Sequence, residues 1–385
     1  MNANTQEIRW GAIASLIFLD LAILISWMAY HEYQPALLTL FKFTEFTVPL
    51  AILQGVILFV TPPIAGLAAD RMIKRGGNRL PVVTIGINFV SMVFMVVAVT
   101  VFAEPGGIIR LLFPVMVALW LIAMNIFHSP AISTVETFVP ESRMPIVVAL
   151  FVILADLVAA LEPVLLDLIH FFGGPLTFAV GGVLVFTSGT LFARVSKSIV
   201  SQGDTSAPSE SADRKSNFPL VFLLGLIVGA ATTVFFKLFP NWLNDSAVPT
   251  VMFPELKATW AELWNVAAGV TNGAHYSAVF TSVLIAAAAV LSLPMGFLAA
   301  KVGPRRMAIA SALIMVSIIS GLQYSHGTPA LILYCLFPIA FSAASVTLLP
   351  IAFTNLEKRH LVFGIGIFFS GVELLSSVVD VLNVW

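Results

Sequence analysis

Long apolar stretches recur along this chain, and short polar or glycine-containing turns separate them. A helix that spans a bilayer needs about 20 mostly apolar residues, because each residue rises roughly 1.5 Å and the hydrocarbon is about 30 Å thick. Stretches that meet this requirement predict spanning helices at 9–30, 47–68, 80–103, 110–137, 143–170, 174–194, 218–240, 275–299, 305–323, 328–353 and 360–384. The pattern therefore predicts an all-α polytopic membrane protein with 11 transmembrane helices.

Two longer polar tracts interrupt this pattern. Residues 197–217 are rich in serine and mixed charge, cannot bury apolar surface, and are predicted to form a flexible cytoplasmic linker. The linker separates an N-terminal six-helix bundle, 1–196, from a C-terminal five-helix bundle, 218–385. An outer-side loop at 241–274 has apolar residues at helical spacing, which indicate a helix that lies flat at the membrane surface or docks a partner. These residues are Leu256, Trp260, Leu263 and Trp264.

Composition supports a membrane protein. Apolar residues make up 59% of the chain and charged residues 10%, whereas soluble domains carry about 25% charged residues. The net charge of −1 argues against a nucleic-acid-binding surface. Cys335 is the only cysteine, which excludes an intrachain disulfide and a multi-cysteine metal site. The first apolar stretch is too long for a signal-peptide core and is therefore predicted to be the first spanning helix.

The cations predict the orientation. With the N-terminus inside, the inner stretches contain Arg9, Arg71, Lys74, Arg75, Arg79, Arg143, Arg194, Lys197, Arg214, Lys215, Lys301, Arg305, Arg306, Lys358 and Arg359. The outer stretches contain only Lys42, Arg110, Lys237 and Lys257. Cytoplasmic loops of membrane proteins carry the excess of Lys and Arg. We therefore expect a multi-pass protein of a bacterial inner membrane with its N-terminus in the cytoplasm and its C-terminus outside.

Three acids lie deep in predicted helices: Asp20 in helix 1, Asp156 in helix 5 and Glu373 in helix 11. No Lys or Arg at mid-depth could neutralise them. A carboxyl group without a cationic partner in a low dielectric favours its protonated form, and it could also bind a sodium ion. We predict proton or cation coupling at these residues, with Asp20 as the first choice. The alternative is a carboxyl group that is hydrogen-bonded to a neighbour and has no role in transport.

Other polar residues in the helices are candidates for solute contacts. Asn125 and His128 are three residues apart and would share one face of helix 4. Gln54, Tyr334 and Lys237 are weaker candidates, and each could instead be an ordinary interior hydrogen-bonding group. The sequence has no nucleophile motif, no phosphate-binding glycine loop and no paired metal-ligand spacing. It therefore predicts no enzyme activity, no cofactor and no metal site.

A repeated motif follows the second helix of each half. Gly66-x-x-x-Asp70-Arg71 closes helix 2, and Gly296-x-x-x-Ala300-Lys301 closes helix 8. The first motif resembles that of the major facilitator superfamily. The fuller pattern resembles the sucrose-type and glycoside–cation symporter branches, through Asp70-Arg71-x-x-x-Arg75-x-x-x-Arg79-x-Pro81, Gly86, Asn125, His128-Ser129-Pro130, Glu136, Pro140-Glu141 and Arg143.

The resemblance implies two helical bundles that rock about a central cavity lined by helices 1, 4, 7 and 10. It also implies a gate at the inner mouth. There the Asp70 carboxylate would meet nearby arginines and the N-terminal end of helix 11, near Gly364, because that end of a helix is positively polarised. The implied gating residues are Gly66, Asp70, Arg71, Arg75, Arg79, Glu136 and Arg143. The alternative is that these charges only fix the topology.

The chain departs from this family in three ways. Ala300 stands where an acid is usual, so we expect a weak contact there, and Glu136 stands where Asp is expected. The twelfth helix of the family is apparently absent, which would expose the flank of helices 10 and 11 to lipid or to a membrane-protein partner.

Together these features predict a secondary active transporter that moves a small polar solute, with a sugar or glycoside as the candidate class, together with a proton or another cation. The alternative is a transport-inactive membrane scaffold or assembly subunit, because helix 7 offers few polar groups for a carbohydrate: Thr232, Thr233 and Lys237.

Overall fold

The computed structural model describes residues 7–103, 112–205, 215–245 and 274–384. In these ranges the chain forms helices and turns, with no strand. The long helices are α1 Trp10–Leu40, α2 Thr47–Lys74, α3 Leu80–Ala103, α4 Phe113–Phe138, α5 Met144–Ala160, α6 Glu162–Thr205, α7 Phe218–Leu243, α8 Ala274–Val302, α9 Pro304–Leu322, α10 Thr328–Thr354 and α11 Leu361–Val384. The described residues hold 11 helices that are long and apolar enough to cross a membrane, as predicted.

The segment α6 changes direction at Gly173, where φ is 72° and ψ is 163°. Before this glycine, the carbonyl of Ile169 accepts a hydrogen bond from Tyr33 Oη at 3.0 Å, near the outer end of α1. After it, Ser201 Oγ accepts one from Asn78 Nδ2 at 3.1 Å, at the inner start of α3. Residues 162–172 therefore complete the fifth crossing, and residues 174–205 make the sixth.

The sixth helix is longer than the sequence pattern predicts. It reaches Thr205, so the first part of the predicted 197–217 linker is helical. The reason is an apolar stripe that continues into the polar tract: Val200 is fully buried and Ile199 packs against the core. Residues 206–214 of the linker and 246–273 of the outer-side loop, with its predicted surface helix, lie outside the described residues.

The two halves meet mainly along two helix pairs, α2 with α11 and α5 with α8, with smaller contacts of α5 with α10 and of α4 with α11. The α2–α11 contact is the more extensive of the two. Within the N-terminal half α6 packs on α1 and α3, and within the C-terminal half α10 packs on α8 and α9. The side where α1 begins is called the inner side below, and the opposite side the outer side.

The surface has the apolar character of a protein that contacts lipid. Large apolar side chains on α3 and α9 are well exposed, among them Val99 at 66%, Ile309 at 64% and Leu313 at 65%. On α10, Ile332 and Leu336 are exposed as well. An aqueous surface would not carry so many of them, so the chain is an integral multi-pass membrane protein. A protein partner on the α10–α11 flank stays a prediction.

Candidate functional site between the two halves

The inner side is closed by a contact between α2 and the start of α11. The buried carboxylate of Asp70 accepts hydrogen bonds from the backbone N–H groups of Val362 at 3.2 Å and Phe363 at 2.9 Å. These N–H groups belong to the first turn of a helix, where they have no acceptor within the helix. A carboxylate is favoured there because the N-terminal end of a helix is positively polarised. The contact lies within two residues of Gly364, where the sequence places it.

Gly66 allows the two backbones to approach closely at this point. A Cβ atom on Gly66 would lie 2.4 Å from the carbonyl oxygen of Val362 and 2.7 Å from Cα of Phe363, so no side chain fits. Further outward, Ser370 Oγ on α11 donates to the carbonyl of Phe59 at 2.5 Å. We call the group Gly66, Asp70, Val362 and Phe363 the first junction.

An equivalent contact joins α8 to the start of α5. A Cβ atom on Gly296 would lie 2.9 Å from the carbonyl oxygen of Pro145 and 3.3 Å from Cα of Ile146. Ala300 stands four residues after Gly296, as Asp70 stands four residues after Gly66. We call the group Gly296, Ala300, Pro145 and Ile146 the second junction. Both junctions are packed, so the described residues close the inner side.

The other predicted gating residues have different environments. Arg79 is buried, and its Nη1 donates to the carbonyl of Ser133 at 2.8 Å and to its Oγ at 3.0 Å, which ties α3 to α4. The charges of Arg79 and Lys74 act on Asp70. Glu136 is half-buried at the end of α4. Arg71, Arg75 and Arg143 are exposed, and none of them forms an ion pair with Asp70.

A cavity lined by both polar and apolar residues lies on the outer side, between α1 and α2 of one half and α11 of the other. Its volume is about 270 Å³. It is lined by His31, Gln34, Pro35, Leu38, Thr47, Ala51, Gln54, Gly55, Ser377 and Asp380. Gln54, a predicted solute contact, lines this cavity, and its Oε1 accepts a hydrogen bond from Tyr30 Oη at 3.2 Å.

Two of the predicted coupling acids lie deeper, on helices that run in the same direction. His31 on α1 and Asp380 on α11 line the same cavity. Asp20 and Phe369 each lie 11 residues inward of these, which is about 16 Å along a helix. The ring of His128 packs against Phe369, with the ring centroids 4.3 Å apart. Asp20 and His128 are therefore at similar depth, and Glu373 is one turn further outward.

These acids have no direct bonding partner, although the charge of Lys237 acts on Glu373 from a distance. Asp20 and Glu373 are half-buried, and neither makes a hydrogen bond or an ion pair within the described residues. Asp156, on α5, is 4% exposed, and its Oδ2 is buried without a hydrogen-bond partner. Because an uncompensated carboxylate in a low dielectric is costly, such groups are functional candidates.

Known structures share this architecture. The chain superposes on the E. coli fucose:proton symporter FucP with a TM-score of 0.61 at 14% identity, over 95% of this chain and 90% of that one. The human organic anion transporter MFSD10 matches with a TM-score of 0.60 at 12% identity, over 98% and 94% of the chains. The nucleoside transporter NupG matches with a TM-score of 0.50 at 11% identity, over 97% and 90%.

This chain has the major facilitator superfamily fold. The resemblance read from the motifs is therefore confirmed at the level of the fold, whereas the sucrose-type branch stays a prediction. No protein-family model matches the chain, and no curated protein matches it.

Within the major facilitator fold, the predicted solute contacts on α4 and α10 are not brought together with Gln54. Asn125 is buried, and its Nδ2 donates to the carbonyl of Leu121 at 2.8 Å in its own helix. Phe127, which lies between Asn125 and His128, keeps right-handed helical dihedral angles, and the joint role of the two residues in solute contact stays a prediction. Tyr334 is buried in the C-terminal half, where its ring lies 5.0 Å from that of Phe239.

Lys237 has a partner that the sequence analysis missed. It lies in a π-helical turn of α7, Val234–Leu238, and its Nζ forms an ion pair with Asp380. The same Nζ donates to Ser376 Oγ at 2.8 Å. Asp380 is seven residues after Glu373 and so lies on the same face of α11. The seven-residue spacing of Glu373 and Asp380 and the position of Lys237 near the outer end of α7 are the sequence features that could have indicated this ion pair.

Aromatic side chains of α1 and α4 form a cluster beside the cavity. Tyr30 stacks on Trp120 with centroids 4.3 Å apart, and Trp27 meets Trp120 edge-on at 5.1 Å. Trp27 also stacks on His31, which lines the cavity. The cavity thus has a polar wall on α11 and an aromatic support on α1.

Proposed function

We propose that this protein is a secondary active transporter that moves a small polar solute between its two halves by alternating access. The neighbours with this fold are a fucose–proton symporter, an organic anion transporter and a nucleoside transporter. Their solutes differ, so the fold supports a transporter without selecting the solute. The sugar or glycoside indicated by the motifs remains one candidate class.

The closed inner side and the outer cavity support alternating access. The first junction exists only while α2 and α11 are in contact, so it stabilises one of two states. In this state the outer cavity lies on the opposite side of the molecule from Asp70. Opening the inner side requires that the Asp70 hydrogen bonds break and that the halves tilt about the cavity.

The single observation that carries coupling to protons is the pair Asp20 and Glu373. They come from opposite halves, lie at neighbouring depths, and have no hydrogen bond or ion pair within the described residues. Burial without a partner favours the protonated carboxyl, and exposure to inner water on rocking favours release of the proton. Asp156 is the second candidate, and His128 lies at the depth of Asp20.

The positive-inside distribution supports the orientation. Asp70 and its neighbouring cations would face the cytoplasm of a bacterial cell, and the cavity would face outside. Solute uptake would then be driven by a proton gradient directed inward.

Uptake into proteoliposomes tests this proposal. Purified protein is reconstituted, an inward proton gradient is imposed, and accumulation of labelled sugars, nucleosides, amino acids and organic anions is measured. We expect at least one solute to accumulate, and we expect Asp20→Asn to abolish accumulation while allowing exchange of solute across the membrane. Asp167→Asn, an exposed carboxyl on the outer part of α6, is the matched control and should accumulate solute normally.

Two results would contradict the proposal. Normal accumulation by Asp20→Asn and by Glu373→Gln would remove both acids from coupling. No uptake of any solute by protein that retains its thermal unfolding transition would favour the scaffold or assembly-subunit hypothesis instead.

A further inference from the structure

The ion pair Lys237–Asp380 places both a positive and a negative charge beside the outer cavity, whereas the coupling acids carry no positive charge. Asp380 lines the cavity, and Lys237 is held against it from α7. Two donors of the ammonium group are held by one turn of α11, at Asp380 Oδ1 and at Ser376 Oγ, whereas the contact with the carbonyl of Ser376 is long at 3.4 Å, so the third donor can serve another acceptor. This one turn therefore fixes the position of the cation.

Both charged side chains of the pair are partly exposed. The side chain of Lys237 is 31% exposed and that of Asp380 is 37% exposed. Both also act electrostatically on His31, across the cavity on the other half. Lys237 is not itself among the lining residues, but its ammonium group lies against Asp380 at the cavity wall.

The local backbone also departs from regular geometry at this point. The π-helical turn Val234–Leu238 places Lys237 within an otherwise α-helical span. Such turns are rare and occur frequently at functional sites. The turn and the cavity are independent observations that indicate the same place.

We propose that this cavity binds a zwitterionic solute of amino-acid size, with its carboxylate on Lys237 and its ammonium group on Asp380. The proposal rests on the proposed function and names the solute class for the cavity of that transporter. It differs from the sugar or glycoside that the motifs indicate.

The charges favour a zwitterion over the other classes. A solute with one net charge would give a second counter-ion to one member of the pair and repel the other. A zwitterion gives each member a second, opposite partner and brings no net charge into a low dielectric. A sugar could form hydrogen bonds here but would use neither charge fully.

The size and the remaining walls are compatible with this class. Drug-sized molecules occupy pockets of about 300–1,000 Å³, so a cavity of about 270 Å³ suits a smaller solute. Gln34 and Gln54 provide amide groups on the N-terminal half, and Trp27 supports the cavity through His31. The solute would therefore contact both halves.

Binding to the purified full-length protein tests the proposal. The probes are the twenty proteinogenic amino acids, the matched acids without the amine, the matched amines without the carboxylate, and monosaccharides. Affinity is measured by titration calorimetry and by the shift in the thermal unfolding midpoint. We expect at least one amino acid to bind, and its deaminated and decarboxylated analogues to bind at least tenfold more weakly.

Variants locate the binding site. Lys237→Met and Asp380→Asn should each weaken binding at least tenfold. The double variant Lys237→Met with Asp380→Met should keep the fold, since an ion pair replaced by apolar side chains is often tolerated, and should still fail to bind. Lys42→Met and Glu45→Gln, an exposed cation and an exposed acid outside the cavity, should bind normally.

Several outcomes would overturn the proposal. They are equal binding of the deaminated acid, binding of monosaccharides alone, no binding by any amino acid, or unchanged binding by the double variant. These outcomes are distinct from failure of the proposed function. Zwitterion binding without accumulation would contradict transport, whereas accumulation that is independent of Lys237 and Asp380 would contradict only the solute class.

Discussion

The first and second junctions close the same side of the molecule with the same backbone geometry but different chemistry. In each, a glycine packs against the second and third residues of a helix from the other half: Val362 and Phe363 for Gly66, Pro145 and Ile146 for Gly296. The first junction adds a carboxylate that accepts two hydrogen bonds. The second has the methyl group of Ala300 where that carboxylate would be.

The donor has changed together with the acceptor. Val362 donates its N–H to Asp70, whereas Pro145 stands at the corresponding position and has no N–H. Because Pro145 has no N–H, the second junction contains one backbone donor fewer than the first. Ala300, which cannot accept a hydrogen bond, therefore leaves fewer donors without an acceptor. One junction therefore closes the inner side by packing and a polar helix cap, and the other by packing alone.

Replacing the junction glycines by alanine should change the population of the inner-open state more than any other substitution considered below. In Gly66→Ala the new Cβ would lie 2.4 Å from a backbone oxygen, compared with 2.9 Å in Gly296→Ala. Overpacking costs about 1–3 kcal/mol, and we expect Gly66→Ala to destabilise the inner-closed state by an amount at the upper end of this range. The ratio of inner-open to inner-closed molecules should then rise up to roughly a hundredfold. Spin labels at Lys74→Cys and Lys358→Cys, in a Cys335→Ser background, report the distance across the first junction by electron spin resonance.

Labels at Arg143→Cys and Lys301→Cys give the same measurement across the second junction. All four positions are exposed, so the labels displace no packed side chain. Each glycine variant is compared with the labelled parent, which shares the loss of the Lys74 charge near Asp70. If Gly296→Ala lengthened the distances as much as Gly66→Ala, the two junctions would be equivalent, contrary to this comparison.

The second effect concerns the cap. Asp70→Ala removes both hydrogen bonds to α11, and loss of a helix cap typically costs about 1 kcal/mol. The inner-open population should rise roughly fivefold, as measured with the same labels. Ser317→Ala, whose exposed hydroxyl bonds only within its own helix, is the control and should leave the distances unchanged. An unchanged distance distribution for Asp70→Ala would show that packing alone holds the first junction.

The smallest effect is a gain at the second junction. Ala300→Asp should recruit the N–H of Ile146 and favour the inner-closed state roughly twofold, because only one donor is present. Ala300→Asp combined with Pro145→Val supplies both donors and should raise the gain to roughly fivefold. Ala300→Leu, which adds volume without an acceptor, is the control. A full gain from Ala300→Asp alone would show that Pro145 does not limit this junction.

The sequence predicted the features that depend on local patterns. The eleven crossings follow from apolar length, and the contact between Asp70 and the start of α11 follows from a glycine, an acid and a basic loop close together. The missing acid at Ala300 was also visible, although the matching Pro145 was not recognised as its counterpart. That pairing depends on which residues of α5 lie opposite Gly296.

The features that depend on helix rotation were not predictable. A π-helical turn shifts the register of α7, so the side of the helix on which Lys237 lies does not follow from regular periodicity. Its pairing with Asp380 was missed for this reason.

The long sixth helix has a mechanical consequence. Its stretch 174–205 is about 48 Å long at roughly 1.5 Å per residue, whereas the hydrocarbon is about 30 Å thick. Its last turns therefore extend beyond the bilayer, and the hydrogen bond from Asn78 to Ser201 holds this end of the helix against the N-terminal bundle. A tilt of a few degrees in the membrane becomes a larger displacement at the end of this helix, so a molecule that binds there would resist tilting of the N-terminal bundle without reaching the interior of the protein.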